Sequence, residues 1–288
     1  MSEKGLYDYR GFINNENLCF ELVREVRWPI GIFCPRCKHR KQWHYLEKGI
    51  PKHRCQNCNY KFSDISGTLF QKSKTPLSKW ILAIALFKIG ISALQMSKEV
   101  KVTYKAAWSM LHKMRRCMQK DKFFTHLADC VEIDETYYGG YRHRSHTEGI
   151  FKNKVPVIGI RSRDGKVKSI AVPRIRSWRL KKLLQKYVKP GATVYTDDRN
   201  IYRNLRDWGY NHHHICKFFG YFRKPDIHTN SIEGYWMLSK NKLYARHHKM
   251  SKRYLPAYLA EIDYKFNHKH EPDFVKNMLK MLLCPLKG

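Results

Sequence analysis

Residues 131–140, Val-Glu-Ile-Asp-Glu-Thr-Tyr-Tyr-Gly-Gly, form the stretch on which the fold assignment depends. Apolar and polar side chains alternate from Val131 to Glu135, which is the pattern of a strand that buries one face. Asp134 stands among apolar neighbours, where a carboxylate is costly unless it is paired or binds a metal ion. The stretch therefore predicts a β-strand that carries a functional acid.

Further strands and helices are predicted on the C-terminal side of this stretch. In chain order they are strands at 155–160 and 168–172, a helix at 177–188, a strand at 193–196, a helix at about 231–245 and a closing helix at 254–266. Three strands, a helix, a strand and a helix are typical of a mixed α/β sheet that is covered by helices.

Two more acids stand at the ends of these predicted elements. Asp197 follows the fourth strand, and Glu233 lies in the first turn of the next helix. Three carboxylates of this kind can hold two Mg²⁺ (or Mn²⁺) ions about 4 Å apart for phosphoryl transfer, and oxygen ligands suit these hard ions. The sequence thus predicts a metal-dependent site made of Asp134, Asp197 and Glu233.

Other interpretations of these residues stay open. Asn230 and Glu233 match a helix capping box, which would make Glu233 a structural cap. Three further acids compete for the ligand positions: Glu132, Glu135 and Asp198. The two glutamates would be either ligands or solvated residues at a strand edge.

Near the N-terminus, Cys34-Pro-Arg-Cys37 and Cys55-Gln-Asn-Cys58 are separated by seventeen residues. Each pair puts two thiolates on one tight turn, and two such turns form a tetrahedral four-sulfur site that suits Zn²⁺. Aromatic residues around the pairs favour short strands, so we predict a zinc ribbon. Four cysteine ligands leave no open coordination position, so the zinc would be structural; free cysteines or a redox pair are the alternatives.

A helical module is predicted between the ribbon and the α/β domain. Residues 93–100 and 103–119 form two helices joined by a short turn, and the second helix is basic. This pattern is typical of a helix-turn-helix, in which Lys105, Arg115 and Arg116 are candidates for base contacts. A small helical bundle with a solvated basic face is the alternative. We expect four parts: 1–70 with the ribbon, 75–122, 126–270, and a tail at 271–288.

The charge of the chain indicates a polyanionic partner. Lys and Arg number 56 against 24 Asp and Glu, which gives a net charge of +32. Residues 1–120 contribute 23 − 8 = +15 and residues 121–288 contribute 33 − 16 = +17, so the charge extends over both halves. Nucleic acid is the first candidate and an anionic membrane the second. Because a spanning helix and an export signal are not recognisable, we expect a reduced, cytoplasmic, nucleoid-associated protein.

Taken together, these motifs resemble those of bacterial insertion-sequence transposases that have a DDE catalytic domain of ribonuclease H-like fold. Within these, the sequence is similar to the family with an N-terminal zinc ribbon to which the eukaryotic Merlin elements are related. The similarity covers about residues 15–270. Besides the ribbon, the segments that show the similarity are residues 132–140, residues 194–197 with Tyr202, and residues 228–236 with Lys240. Lys240 follows Glu233 by seven positions, on the same face of a helix.

This resemblance implies specific roles. Asp134, Asp197 and Glu233 would bind the catalytic metal, Asn230 would share or replace the role of Glu233, and Lys240 would contact the transposon end. The protein would bind terminal inverted repeats in double-stranded DNA, cleave the element ends and join the 3′-hydroxyl to target DNA. Pairing two ends implies at least a homodimer. The alternative is a non-catalytic DNA-binding regulator that is derived from a transposase.

Overall fold

The structure of the 288-residue chain is a computed structural model. It describes residues 4–119, 127, 130–139, 154–215, 228–247 and 250–284. Two compact units divide the chain: Met1–Cys117 together with His270–Gly288, and Met118–Lys269. The boundary predicted between residues 122 and 126 lies outside the described residues. Within them, no helix is both long enough and apolar enough to cross a lipid bilayer.

The first unit begins with a helix and a small sheet. Helix α1, Glu16–Arg27, starts where the Asn15 side chain accepts a hydrogen bond from the Leu18 amide. Strands β1 (Gln42–Glu47), β2 (Ile50–Cys55) and β3 (Lys61–Ser63) follow and pair antiparallel in the order β1-β2-β3. These are the short strands that the aromatic residues around the cysteine pairs predicted.

A buried carboxylate connects this sheet to α1. Asp64 accepts hydrogen bonds from Trp28 Nε1 at 3.2 Å and from Arg24 Nε at 3.2 Å, and its Oδ1 lies 3.0 Å from His53 Nε2. Burial alone would raise the pKa of Asp64, but the hydrogen bond with His53 and the charge of Arg24 hold it below its usual range. The acid is thus paired, which is the condition for burying a charge without a large cost.

Four helices complete the first unit. They are α2 (Leu77–Ile89), α3 (Ala93–Glu99), α4 (Tyr104–Gln119) and, from the other end of the chain, α8 (Phe274–Leu282). Helix α8 packs against α1 and α2 and buries five apolar side chains: Phe274, Val275, Met278, Leu279 and Leu282. Residues 271–288, which we expected to be a tail, therefore contain a structural helix. The physical reason is the helical spacing of their apolar residues.

Helices α3 and α4 lie where the helix-turn-helix pattern predicted them, but one proposed base contact does not fit. Arg115 is only 1% exposed, and its guanidinium lies 5.9 Å from the centre of the Phe87 ring. Lys105 and Arg116 are exposed. Arg115 therefore stabilises the helical core, and the base-reading role remains a prediction for Lys105 and Arg116.

The second unit is built on a five-stranded sheet. Its strands are β4 (Cys130–Tyr138), β5 (Val155–Ser162), β6 (Val167–Ala171), β7 (Thr193–Asp197) and β8 (Asn211–Ile215), in the order β6-β5-β4-β7-β8. Strands β4, β5 and β6 form an antiparallel meander, whereas β7 and β8 run parallel to β4. This is the mixed sheet of the ribonuclease H-like fold, so the predicted fold class is confirmed.

Strand β8 is an edge strand of the sheet and lies beside β7. It contains three consecutive histidines, His212, His213 and His214. Thr196 Oγ1 on β7 lies 2.8 Å from His212 Nε2, and the His213 ring stacks on that of Tyr195.

Helices cover both faces of the sheet. Helix α5, Ser177–Tyr187, packs on the face that carries Val131 and Ile133 of β4. Helices α6 (Asn230–Tyr244) and α7 (Leu255–Asn267) pack on the opposite face. Because successive residues of a strand point to opposite faces, the even-numbered residues of β4 face α6.

A buried acid in α7 gives the stability of this unit a dependence on pH. Asp263 accepts hydrogen bonds from the Ser169 amide at 2.8 Å and from the Tyr235 hydroxyl at 2.5 Å. Burial raises its pKa to about 6, although the charge of Lys168 acts in the opposite direction. The folded pKa thus lies above the unfolded value of about 3.9, so stability is present at low pH and lost as the pH rises through about 6.

We expect the variant Asp263→Asn to lose this dependence. Between pH 5 and pH 7.5, the free energy of unfolding of the wild type should fall by about 1.4 kcal/mol relative to that of the variant. Urea denaturation at both pH values measures this difference. If the free energy of unfolding changed with pH by the same amount in the wild type and the variant, the role given to Asp263 would be contradicted.

Candidate active site

The site is built around the centre of the sheet, where Asp134 lies on β4. The parallel register of β4 and β7 pairs Glu132 with Tyr195. Two residues further along each strand, Asp134 and Asp197 come to the same level of the sheet. Side chains at the same level of neighbouring parallel strands point to the same face. The fold therefore brings together two of the three predicted carboxylates.

The surroundings of Asp134 favour a positive charge. Burial raises the pKa of Asp134 to about 6, and the negative charges of Glu135 and Asp197 act in the same direction. Trp236 Nε1 of α6 donates a hydrogen bond of 3.0 Å to Asp134 Oδ2. A partly buried carboxylate beside two other acids is a place where a cation is stabilised.

Helix α6 presents Lys240 to this carboxylate. Burial lowers the pKa of Lys240, and the negative charge of Asp134 opposes that effect. Successive helix residues are about 100° apart, so Lys240 lies roughly 40° around the axis from Trp236. Lys240 and Trp236 thus occupy the side of α6 that faces Asp134.

Glu233 and Asn230, the two candidates for the third position, are both exposed on the first turn of α6. About 60° of rotation separates Glu233 from Trp236, whereas Asn230 is about 120° away. The predicted capping box does not form, since Thr229 and not Asn230 occupies the N-cap position. The Thr229 hydroxyl instead donates to Glu233 Oε1 at 3.0 Å. Glu233 therefore lies closer than Asn230 to the side of α6 that faces Asp134.

The two glutamates that flank Asp134 have structural partners. Glu132 is fully buried; its Oε2 accepts a hydrogen bond of 2.9 Å from the Ile232 amide, and its Oε1 lies 3.3 Å from His228 Nδ1. It therefore holds the first turn of α6 against the sheet. Glu135 points to the opposite face, so neither glutamate is a solvated edge residue.

Arg199 is a residue of the site that the sequence analysis missed. Its guanidinium pairs with Glu135, and its Nε lies 3.5 Å from Asp197 Oδ2. The Arg199 amide also donates to Asp197 Oδ1 at 3.2 Å. Arg199 thus links the strand that carries Asp134 to the end of the strand that carries Asp197. The sequence contains a signal for this contact, because Asp197-Asp198-Arg199 follows a predicted strand and the Asp-x-Arg spacing allows an Asx-type turn.

Tyr202 completes the group on the α5 side of the sheet. It is almost fully buried and donates its hydroxyl hydrogen to Glu135. Burial and the charge of Glu135 raise the pKa of Tyr202 well above its usual value. A hydroxyl that is buried and bonded in this way is unsuited to attack DNA.

The approach of Trp236 to Asp134 depends on Gly159 of β5. A Cβ atom at this position would lie 2.3 Å from Trp236 Cζ2 and 2.5 Å from Trp236 Cη2. We expect Gly159→Ala to destabilise the second unit by about 1–3 kcal/mol, because a filled core resists added volume. Gly234→Ala is the matched control, because a Cβ added at this helical position would meet no packed neighbour within 4 Å, and it should not be destabilising. Equal urea midpoints for the two variants would contradict this packing.

The four predicted zinc ligands of the first unit also come together. Their Sγ atoms all lie within 4.8 Å of one another, with 3.6 Å between Cys34 and Cys58 and 3.5 Å between Cys37 and Cys55. A tetrahedron with Zn–S bonds of about 2.3 Å has edges of about 3.8 Å, which these distances match.

Comparisons with known protein families match both units. Residues 126–267 match the model of the ISXO2-like transposase domain, and residues 14–61 match the model of the transposase zinc-ribbon domain. A relative from Halobacterium salinarum, described as an uncharacterised protein in the transposable element ISH50, is 26% identical over 287 residues. That alignment covers 93% of this chain and 96% of the relative.

Two solved structures are more distantly similar. The intasome of simian T-cell lymphotropic virus aligns with 62% of this chain and 66% of its own chain, at 10% identity and a TM-score of 0.33. The Mos1 strand transfer complex aligns with 70% of this chain and 73% of its own, at 11% identity and a TM-score of 0.32.

The order of the matched domains is the one that the sequence motifs predicted. The four clustered cysteines lie within the matched ribbon domain, and the three candidate acids lie within the matched transposase domain. The chain therefore belongs to the IS1595 family of insertion-sequence DDE transposases, in which a zinc ribbon precedes a catalytic domain of ribonuclease H-like fold.

Proposed function

We propose that this transposase cleaves DNA at the ends of its element and joins the freed 3′-hydroxyl to target DNA. The observation that carries the proposal is the placement of Asp134 and Asp197 at one level on adjacent strands. The raised pKa of Asp134 supports it, since burial and neighbouring acids make a cation favourable there. Mg²⁺ or Mn²⁺ bound to these oxygens would activate the attacking hydroxyl and stabilise the leaving oxygen.

The remaining residues of the site would hold the reacting groups in position. The indole of Trp236 fixes one oxygen of Asp134, and Glu132 holds the first turn of α6, from which Glu233 projects. Arg199 keeps the Asp197 carboxylate close to β4. The ammonium of Lys240, on the same side of α6, would contact a phosphate of the transposon end. Phosphoryl transfer depends mainly on such positioning and on charge neutralisation.

Glu233, and not Asn230, is the third ligand in this proposal. We expect Glu233→Gln to lower cleavage at least about a hundredfold, since it removes a charge that the metal ion needs. Asn230→Ala should change cleavage by less than about tenfold, because its side chain points away from Trp236. Initial rates of nicking on one substrate measure both effects. The reverse order of the two rates would assign the role to Asn230.

The DNA partner of the proposed reaction is a duplex that contains a terminal inverted repeat. Helix α4 of the first unit would bind it, since its Lys105 and Arg116 are exposed. Pairing of two ends would require at least a dimer. The protein would act where its element lies, on the DNA of the cell.

The test is end cleavage by the purified full chain. A labelled duplex that joins an inverted repeat to flanking DNA should be nicked at the junction with Mg²⁺, and the product should carry a 3′-hydroxyl. Omission of the divalent ion should abolish nicking. Specific binding without nicking in either Mg²⁺ or Mn²⁺ would refute the proposal and support the alternative, a DNA-binding regulator.

A further inference from the structure

One face of the ribbon sheet carries exposed aromatic and basic side chains. Trp43 lies opposite Arg54, which lies opposite Lys61, and Tyr45 lies opposite Lys52. Directly paired residues of antiparallel strands point to the same side of a sheet. We call this set, Trp43, Tyr45, Lys52, Arg54 and Lys61, the outer face of the ribbon.

The two rings of the outer face are not required by the ribbon core. The core beneath the opposite side of the sheet consists of Trp28, Phe62 and the buried cysteines. Trp43 is 52% exposed and Tyr45 is 37% exposed. Two large rings side by side in water are costly, and such exposed patches mark interaction sites.

The charges of the outer face indicate that the partner is an anion. Residues 34–61 contain eight Lys and Arg but a single acid, Glu47. Glu47 lies at the end of β1, where its carboxylate is 3.8 Å from Lys52 Nζ. Arg54 lies 5.8 Å from the centre of the Trp43 ring, so a cation and a ring are presented together. A phosphate chain that also offers flat apolar groups matches both features.

Unpaired DNA fits this face better than a duplex does. In a duplex the flat surfaces of the bases are stacked on one another, and only edges and backbone are accessible in the grooves. An unpaired strand exposes base surfaces as well as phosphates, and it binds proteins through aromatic stacking beside basic side chains. Trp43 and Tyr45 are two residues apart on one strand, about 7 Å, so each ring can stack with a different base.

We propose that the outer face of the ribbon binds an unpaired DNA strand, with bases on Trp43 and Tyr45 and phosphates at Arg54 and Lys61. This binding goes beyond the proposed catalytic function and does not depend on it. Its place in the reaction does rest on the proposed function, since nicking at an element end would create a strand end that can separate from its complement.

Fluorescence anisotropy with the full chain tests the proposal. The probes are labelled oligothymidylate of about 12 nucleotides, within the usual site size, and a duplex of the same length. The buffer contains no added Mg²⁺, which prevents cleavage, and no chelator, which retains zinc. We expect Trp43→Ala to weaken oligothymidylate binding about tenfold, or ~1.4 kcal/mol, since the variant loses stacking on one base. Binding of the duplex should change less than about twofold.

Matched variants separate stacking from charge and from loss of fold. Trp178→Ala removes a tryptophan that is 54% exposed in the second unit and should leave oligothymidylate binding unchanged. Tyr45→Phe keeps the ring and should retain binding, whereas Tyr45→Leu should lose it. Arg54→Ala with Lys61→Ala should lower the salt dependence of binding by about 1.4 in the slope of log K against log salt. Zinc content equal to that of the wild type verifies that each variant ribbon is folded.

Several outcomes would overturn the proposal. Equal losses for oligothymidylate and duplex with Trp43→Ala would make the outer face a duplex contact. Unchanged binding with Trp43→Ala and Tyr45→Leu would show that the rings take no part. Oligothymidylate binding is measured without cleavage, so a failure of the catalytic proposal leaves this test intact. Normal end cleavage without ring-dependent oligothymidylate binding would remove this inference alone.

Discussion

Replacing Asp134 with Asn is expected to lower metal-dependent end cleavage by about a thousandfold, equivalent to ~4 kcal/mol of transition-state stabilisation. Asn has the same size and can still accept the hydrogen bond from Trp236 Nε1, so the local packing remains. The negative charge that would hold the metal ion is lost. Single-turnover nicking of an end-containing duplex measures the effect.

The same substitution should not destabilise the protein. Burial and the neighbouring acids raise the pKa of Asp134 to about 6, above its value of about 3.9 in an unfolded chain. Above pH 6 the folded protein therefore bears the cost of an ionised, half-buried carboxylate, and the neutral Asn avoids that cost. We expect a melting temperature at pH 7.5 that is equal to or higher than that of the wild type.

Asp198→Asn is the control for this experiment. Asp198 is exposed, and the register places Asp197 at the level of Asp134. Its variant should retain cleavage within about tenfold and bind DNA normally. If Asp134→Asn cleaved as fast as Asp198→Asn did, the proposed site would be refuted.

Removal of zinc should unfold the ribbon and leave the second unit intact. Structural zinc contributes roughly 10–16 kcal/mol to the folding of isolated zinc-finger peptides, far more than a three-stranded sheet of this size supplies by burial. The core of the ribbon includes Cys34 and Cys55 themselves, so loss of the metal removes its centre. Limited proteolysis should then cut within residues 28–62 after chelation, and protect β4 and β5.

The substitution Cys55→Ser should have the same effect without a chelator. We expect less than about a tenth of the wild-type zinc and early proteolysis of the ribbon, because three remaining thiolates bind zinc much less tightly. Cys284→Ser changes an exposed cysteine outside the site and serves as the control. Full zinc occupancy in the Cys55 variant would rule out this cysteine as a ligand.

The sequence was sufficient for features that depend on local pattern. The alternation around Asp134 predicted β4 because its apolar residues Val131 and Ile133 pack on one face, but it did not predict that α6 also covers the other face. The Cys-x-x-Cys spacing predicted the sulfur cluster because each turn fixes two ligands locally. In both cases the residues that define the feature are neighbours along the chain.

Features that depend on distant partners were not predictable in this way. Asp134 and Trp236 are separated by 102 residues, and their hydrogen bond requires the bare backbone at Gly159. The role of Arg199 depends on Glu135, on a different strand. Arg115 has the charge of a DNA contact, and only the packing of α4 shows that its guanidinium lies in a core. A side chain's chemistry limits what it can do, but tertiary contacts decide which option is used.

The packing of α8 with α1 and α2 has a consequence for synthesis on the ribosome. Between the end of α2 and the start of α8 lie residues 90–273, which take roughly 10–40 s to translate at about 5–20 residues per second. During that time the apolar surface of α1 and α2 that α8 later covers has no α8 to pack against. A gene copy with an early stop codon would therefore yield an N-terminal fragment with an uncovered core, prone to aggregation and degradation. Decay of the element by truncation should silence DNA binding together with catalysis.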